Sequence, residues 1–255
     1  MQTHVTVRGL VIREIAYGET SVLFDLLTES GLRTVSARGI RKPGSKYAAA
    51  VQLFTYGEFC LRISGDRYYL DSASALNQFY GLRTELEALA LASYFSELIR
   101  LTATEQPQPQ LLRLFLLSLH YLTESEPRRP AAQVKAVFEL RLMTELGYAP
   151  NLVCCADCLQ YLPEAPVLRI IQSDMICADC AEELSEHDIP VTQSALLAAR
   201  HAVFSDLDKV FAFRVSGESM AQFAAYAERY LMRYLSTPLP TLKYYHDLVG
   251  NSPPG

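Results

Sequence analysis

Cys155-Ala156-Asp157-Cys158 and Cys177-Ala178-Asp179-Cys180 repeat one short pattern, with 18 residues between the two copies. The spacing is that of a C-x2-C-x15–20-C-x2-C zinc site. Each C-x-x-C turn can aim two sulfurs at one ion. The segment between them must fold back to bring the second pair alongside the first. Four thiolates complete a tetrahedron and leave no position open for water, so the expected role is structural, with one zinc per chain.

Other readings of the cysteines are weaker. Two disulfides would suit an oxidising compartment, but Met1 to Leu10 has no long apolar run and Arg8 interrupts it, so the chain is read as cytoplasmic, with reduced thiols. A redox C-x-x-C usually comes once, beside a βαβ pattern. Cys154-x3-Cys158 is also metal-compatible, so Cys154 could stand in for Cys155. His187, seven residues past Cys180, is a poorer substitute. Cys60 in Phe59-Cys60-Leu61 reads as a small buried residue.

Upstream of the cysteines the pattern has period two. Val5 and Val7 lead into Leu10-Val11-Ile12, and Val22-Leu23-Phe24-Asp25-Leu26-Leu27 is a buried-strand run. Ser30-Gly31 turns into Leu32-Arg33-Thr34-Val35. Phe59, Leu61 and Ile63 share a face, and Gly65-Asp66 turns into Tyr68-Tyr69-Leu70. About five short strands imply a small barrel or sandwich, and an OB barrel fits the length. Periodicity alone does not separate it from an SH3-like barrel.

After Gly81 the period becomes helical. Helices are expected over 82–102, 110–123 and 131–146, broken by Gln106-Pro107-Gln108-Pro109 and Pro127-Arg128-Arg129-Pro130, with Gly147 at a C-cap. Two more are expected over 192–203 and 219–235. Ser219-x-x-Gln222 reads as a capping box, Pro238 and Pro240 read as the stop, and 251–255 reads as a disordered tail. The fold class is therefore multi-domain α+β. An OB-type nucleic-acid-binding domain is expected over 1–80, a helical domain over 81–150 and 185–250, and an inserted zinc module over 151–184.

Half of the 255 residues are hydrophobic and 20% are charged, as in ordinary globular proteins. The run Leu111 to Leu117 is short and carries Arg113, which excludes a membrane span. Net charge is −5, unevenly spread. Residues 1–80 hold nine Lys/Arg against seven Asp/Glu; the remainder holds 14 against 21. No acidic residue falls between Glu29 and Glu58, where five bases lie. That asymmetry points to an anionic partner for the N-terminal part.

No phosphate-binding loop, H-E-x-x-H, nucleophile elbow or deaminase signature is present. The five histidines are scattered. The chain is read as non-enzymatic, without a small-molecule substrate. The functional candidate is the segment 33–47. Arg33, Arg38, Arg41, Lys42 and Lys46 would meet phosphates, Ser36 and Ser45 would add hydrogen bonds, and Tyr47, Phe54 and Tyr56 would offer rings to bases. The plain alternative is a solvated loop beside core aromatics.

Arg8-Gly9-Leu10-Val11-Ile12, Tyr17-Gly18-Glu19, Ser30-Gly31-Leu32 and Ala37-Arg38-Gly39, in that order, resemble the opening of the bacterial RecO recombination-mediator family. Gly147-Tyr148-Ala149-Pro150-Asn151-Leu152 is similar to its approach to the zinc knuckle. Leu239-Pro240-Thr241-Leu242-Lys243-Tyr244-Tyr245 is similar to its closing motif. The resemblance implies an OB-fold, a helical domain and an inserted zinc module in a cytoplasmic, nucleoid-associated protein. It implies binding and annealing of single-stranded DNA, and loading of RecA with RecR, often with RecF, on DNA coated by single-strand-binding protein (SSB). It places DNA contacts on Arg38, Arg41, Lys42 and Lys46. Recognition of the acidic, apolar SSB tail would call for basic residues in the helical domain, with Arg128, Arg129, Lys135 and Arg141 as candidates. The chain departs from the family pattern in its acidity, which implies reliance on RecR for DNA grip. It departs also at Leu159 and at Ser173-Asp174, where family members carry glycine.

Overall fold

Alternating burial over residues 3–77 closes into a barrel. The computed structural model describes residues 3–124 and 128–250; Pro127 and the tail 251–255 lie outside them. The strands are β1 (Thr3–Tyr17), β2 (Ser21–Thr28), β3 (Gly31–Ala37), β4 (Tyr56–Ser64) and β5 (Arg67–Asn77). Their order around the barrel is β1-β2-β3-β5-β4, closed by β1 against β4. The one parallel contact pairs Val35 with Tyr68 and Ser36 with Tyr69. This closure gives the OB-type barrel and decides what periodicity left open. Val11, Phe24, Leu26, Val35, Phe59 and Leu61 fill the interior, with the Phe24 and Phe59 ring centroids 5.8 Å apart.

The chain divides into two compact units: Met1–Glu124 with Leu239–Gly255, and Ser125–Pro238. The first joins the barrel to α1 (Leu86–Thr102), α2 (Pro109–Thr123) and α6 (Pro240–Gly250). This grouping differs from one helical body over 81–150 and 185–250, because β2 needs cover on its second face. Asp25 is buried there, accepting a hydrogen bond from the Thr34 hydroxyl at 2.8 Å and lying 3.6 Å from Arg13 and 3.3 Å from Arg100 of α1. The β2–β3 turn docks on the α1–α2 connection, where the Leu32 N–H donates to the Thr104 carbonyl. Gly31 sits there at φ +108°, and a Cβ would come within 2.6 Å of the Gln106 carbonyl oxygen.

Pro240 does not act as a terminator. It occupies the first turn of α6, where a missing N–H costs nothing. Leu242 and Tyr245 are buried as α6 packs on α1, and Thr241 donates to Glu97.

The second unit holds α3 (Ala131–Glu145), a small antiparallel sheet of β6 (Pro166–Arg169), β7 (Asp174–Cys177) and β8 (Asp188–Pro190), then α4 (Gln193–Phe204) and α5 (Gly217–Tyr234). The sheet order is β7-β6-β8. Helix α3 packs against α4 and α5. It ends as expected: Gly147 is at φ +87°, its N–H reaches the Thr144 carbonyl, and the Tyr148 N–H reaches that of Met143. The Ser219/Gln222 pair does not cap its own helix. Gln222 accepts from the backbone N–H of Thr192 at 2.8 Å, and the Ser219 and Thr192 hydroxyls lie 2.7 Å apart. Thr192 in turn accepts from the Ala195 N–H. The two residues complete the cap of α4 across the α4–α5 contact.

Candidate metal centre and nucleic-acid interface

The sulfurs of Cys155, Cys158, Cys177 and Cys180 all lie within 4.8 Å of one another. Cys155 and Cys177 are 3.8 Å apart, and Cys158 and Cys177 are 3.7 Å apart. Four thiolates at a zinc-type bond length of about 2.3 Å would stand about 3.8 Å from each other. The four cysteines can therefore hold a metal ion.

Backbone geometry prepares the sulfurs. The Cys155 N–H is turned back to the Gln160 carbonyl, and the Leu159 N–H to that of Cys155. In the second turn, the N–H groups of Cys180 and Ala181 close on the Cys177 carbonyl. The Cys177 N–H donates to the Cys155 sulfur at 3.3 Å. Burial pushes the Cys155 thiol up, but N–H groups of Cys158, Cys177 and Asp157 outweigh it and bring it down to about 6. Hydrogen bonding with Cys177 and Cys158 drives the Cys180 thiol the other way. A cation would allow all four to be thiolates at once.

Cys155, not Cys154, enters the cluster among the described residues. His187 is exposed, 3.6 Å from Glu186. Arg200 escaped the sequence reading. Its buried guanidinium donates to the carbonyls of Leu152 and Val153, at 2.6 and 2.9 Å, and lies 4.3 Å from the Tyr161 ring centroid. It thereby anchors the chain entering the first cysteine pair. Burial pulls its pKa down.

On the barrel, the segment 33–47 divides. Arg33 lies over Tyr68 at 5.6 Å, and Arg38 over Tyr69 at 5.4 Å. Arg62, across the β4–β5 hairpin, covers Tyr69 at 4.7 Å. An open groove of about 490 Å³ runs along this face, lined among others by Tyr17, Ser36, Arg38, Arg67, Tyr68 and Tyr69. Arg41, Lys42 and Lys46 stand exposed on the turns after β3. Tyr47 is half-buried against the barrel core, and Phe54 is in the core with its ring against Phe115. Tyr17 is 63% exposed and Tyr69 lies half-buried on the groove, whereas Tyr68, like Tyr47, packs partly against the barrel core. The missed signal was the hairpin register: once Gly65-Asp66 turns, Arg62 must face Tyr69.

Two family models match the chain, Recombination protein O N terminal over residues 1–79 and Recombination protein O C terminal over residues 83–243. The chain belongs to the RecO family. Similar proteins named DNA repair protein RecO include that of Exiguobacterium sibiricum, 32% identical over 95% of this chain and 96% of the relative. That of Desulfitobacterium hafniense is 30% identical over 97% and 92%. That of Acetivibrio thermocellus is 28% identical over 94% and 95%. No helix among the described residues is long and apolar enough to cross a membrane.

Two of the residues where the resemblance implies glycine, Leu159 and Ser173, sit on left-handed backbone, while Asp174 is in β7. Leu159 is at φ +61° and Ser173 at φ +60°. For a side chain-bearing residue this conformation costs about 1–2 kcal/mol. Ser173 has compensation: its hydroxyl meets Tyr234 at 3.1 Å and Arg233 at 2.9 Å, and its carbonyl accepts from Asn151. Leu159 is 70% exposed.

Of the four basic residues expected to meet an acidic tail, Arg129, Lys135 and Arg141 are engaged within the fold. Arg128 is exposed, and Arg129 donates to the Phe211 carbonyl. Arg141 is bound to Glu145 and the carbonyls of Val203 and Ser205. Lys135 is only 4% exposed, between Glu139 at 2.7 Å and Glu228 at 2.6 Å. Burial works to lower its pKa, and the two carboxylates more than reverse this. Its ammonium is committed inside the fold.

Proposed function

We propose that this RecO-family chain is a non-enzymatic mediator of DNA repair. It binds single-stranded DNA on the barrel face, anneals complementary strands, and helps load RecA onto SSB-coated DNA together with RecR, with RecF as a further partner. The observation that carries this reading is the groove lined by Arg38, Arg67 and Tyr69, with Arg62 also over the Tyr69 ring and with Arg41, Lys42 and Lys46 exposed on the turns after β3. Cations fixed beside rings suit phosphate and base together, and each base stack contributes about 1–3 kcal/mol. Two strands repel through their phosphates; a cationic face lowers that repulsion without ATP.

The test is annealing of complementary oligonucleotides by wild type, by Arg38→Ala/Arg41→Ala/Lys42→Ala and by Tyr69→Leu. The triple variant should anneal more slowly and show a shallower salt dependence. Tyr69→Leu should lose affinity with its salt slope kept. Equal rates for all three at low salt would remove this face from the mechanism.

We further infer that the ion in the cysteine site is zinc, one per chain and structural, held by Cys155, Cys158, Cys177 and Cys180; metal analysis of purified protein tests this. For an acidic, apolar SSB tail, a groove of about 520 Å³ lined by Leu197, Ala198, His201, Phe213 and Arg214 fits better than Lys135 or Arg141. Arg214→Glu should weaken binding of a tail peptide.

A second reading, an adaptor with slight DNA affinity of its own, draws on the 14 basic against 21 acidic residues beyond position 80. Titrating labelled single strand with and without RecR separates the two. Tight, salt-sensitive binding by the protein alone defeats the adaptor.

A further inference from the structure

Four tyrosines of the second unit form a continuous chain of tilted and edge-on ring contacts that ends in solvent. Ring centroids of Tyr226 and Tyr230 are 5.6 Å apart, those of Tyr230 and Tyr234 5.5 Å, and those of Tyr234 and Tyr148 4.8 Å. Tyr226 and Tyr230 are buried and explained by packing. Tyr148 is different, since half of its surface is exposed. Its backbone is pinned from both sides: its N–H closes the end of α3 on Met143, and its carbonyl accepts from the Tyr230 hydroxyl at 2.9 Å. Such a ring has little freedom left to lose when something stacks on it.

A fixed cation stands beside this chain of rings. The Arg233 guanidinium lies 5.2 Å from the Tyr234 centroid. The Ile170 carbonyl and the Ser173 hydroxyl hold it there, and Ser173 keeps left-handed backbone at that spot. Strained backbone tends to gather where a ligand is held. Exposed Arg229 follows one turn earlier on α5. An exposed ring with a positioned guanidinium matches a flat base followed by its phosphate. An apolar peptide would want a concave floor, whereas this surface offers a ring and charge.

We propose that Tyr148, Tyr234 and Arg233 form a second stacking site for an unpaired nucleotide, on the unit that does not contain the barrel. The proposal deepens the single-strand reading and rests on it. A mediator that pairs two strands needs two places to hold them, and this site supplies the second.

The test is photocrosslinking of full-length protein to an oligodeoxythymidylate carrying 5-iodouracil, with adducts mapped by mass spectrometry. Adducts are expected on Tyr148 and on a barrel ring, Tyr17 or Tyr69. Tyr148→Leu should weaken binding of the second oligomer about tenfold, within the range of one lost stack, with the barrel adduct kept. Tyr148→Phe should restore binding, because the ring and not the hydroxyl is used. Adducts confined to the barrel, with Tyr148→Leu binding two oligomers as wild type does, would overturn the proposal and leave the barrel reading intact. An adduct on Tyr148 alone would keep a nucleotide site on this unit but overturn its place as a second site, and would remove the barrel. No adduct anywhere would overturn both, and the mapping on wild type does not depend on how a variant folds.

Discussion

The barrel closes on itself, and the three-stranded sheet behind the cysteines does not. In the barrel every strand has two neighbours, and an apolar interior of phenylalanine, valine and leucine holds them. In the cysteine module, β6 and β7 have four residues each and β8 has three. So small a sheet buries too little surface to be stable alone, and here four sulfurs and Arg200 supply the rest. The two regions differ equally in what they face outward. The barrel presents cations and rings along an open groove, while the sulfurs of the module turn toward one another. On the proposed reading, one region meets a ligand and the other keeps a shape.

The largest effect expected from this contrast is at the metal. Cys158→Ala, or chelation, should melt the module while leaving the barrel transition in place. Metal binding by small thiolate modules is worth about 10–16 kcal/mol and is coupled to folding. Calorimetry with hydrogen exchange reads the two regions separately, and an unaltered melting curve would contradict the structural role. The converse is Phe59→Ala, which should cost about 3–5 kcal/mol in the barrel and leave metal content unchanged. Urea titration alongside a zinc assay checks both halves.

Lys135→Ala should cost a similar 3–5 kcal/mol in the second unit, because it removes the ammonium that lies 2.7 Å from the fully buried Glu139. The pH sign follows from the raised pKa. Lys135 contributes fully below its ordinary value of 10.5 and loses that contribution as pH climbs through the higher folded value. Alkaline melts of wild type should therefore converge on those of the variant. If the difference persisted at the most alkaline pH, the ion pair would not be its source.

The smallest effect is the most discriminating. Leu159→Gly should stabilise the module by up to about 1 kcal/mol, since the left-handed strain disappears and little burial is lost. Ser173→Gly should come out near neutral, as strain relief is offset by the lost contacts to Tyr234 and Arg233. Equal shifts for the two would mean that the hydroxyl contacts do not compensate.

Much of this was readable from local pattern. The cysteine spacing named the cluster, the period change near Gly81 marked the onset of helix, and Gly147 marked the end of α3. What was not readable depended on partners distant in sequence. Ser219 and Gln222 have the form of a self-cap but serve Thr192, 27 and 30 residues away. Pro238 and Pro240 look like an ending, yet Pro240 opens α6 because α1 offers an apolar face. Tyr47 was drawn into packing by the barrel closure and Phe54 by the Phe115 ring of α2, neither of which any window of sequence contains. The pairing of Arg62 with Tyr69, by contrast, was implicit in the hairpin turn.

The return of α6 to α1 makes the first unit discontinuous, with the whole second unit spliced into it. During synthesis the barrel can form early, but the face of α1 that takes Leu242 and Tyr245 stays bare until some 120 further residues have left the ribosome. A premature stop anywhere between Glu124 and Pro240 would therefore damage the N-terminal half of the molecule, and a fragment made by cutting after Glu124 would carry an unsatisfied apolar stripe into solution.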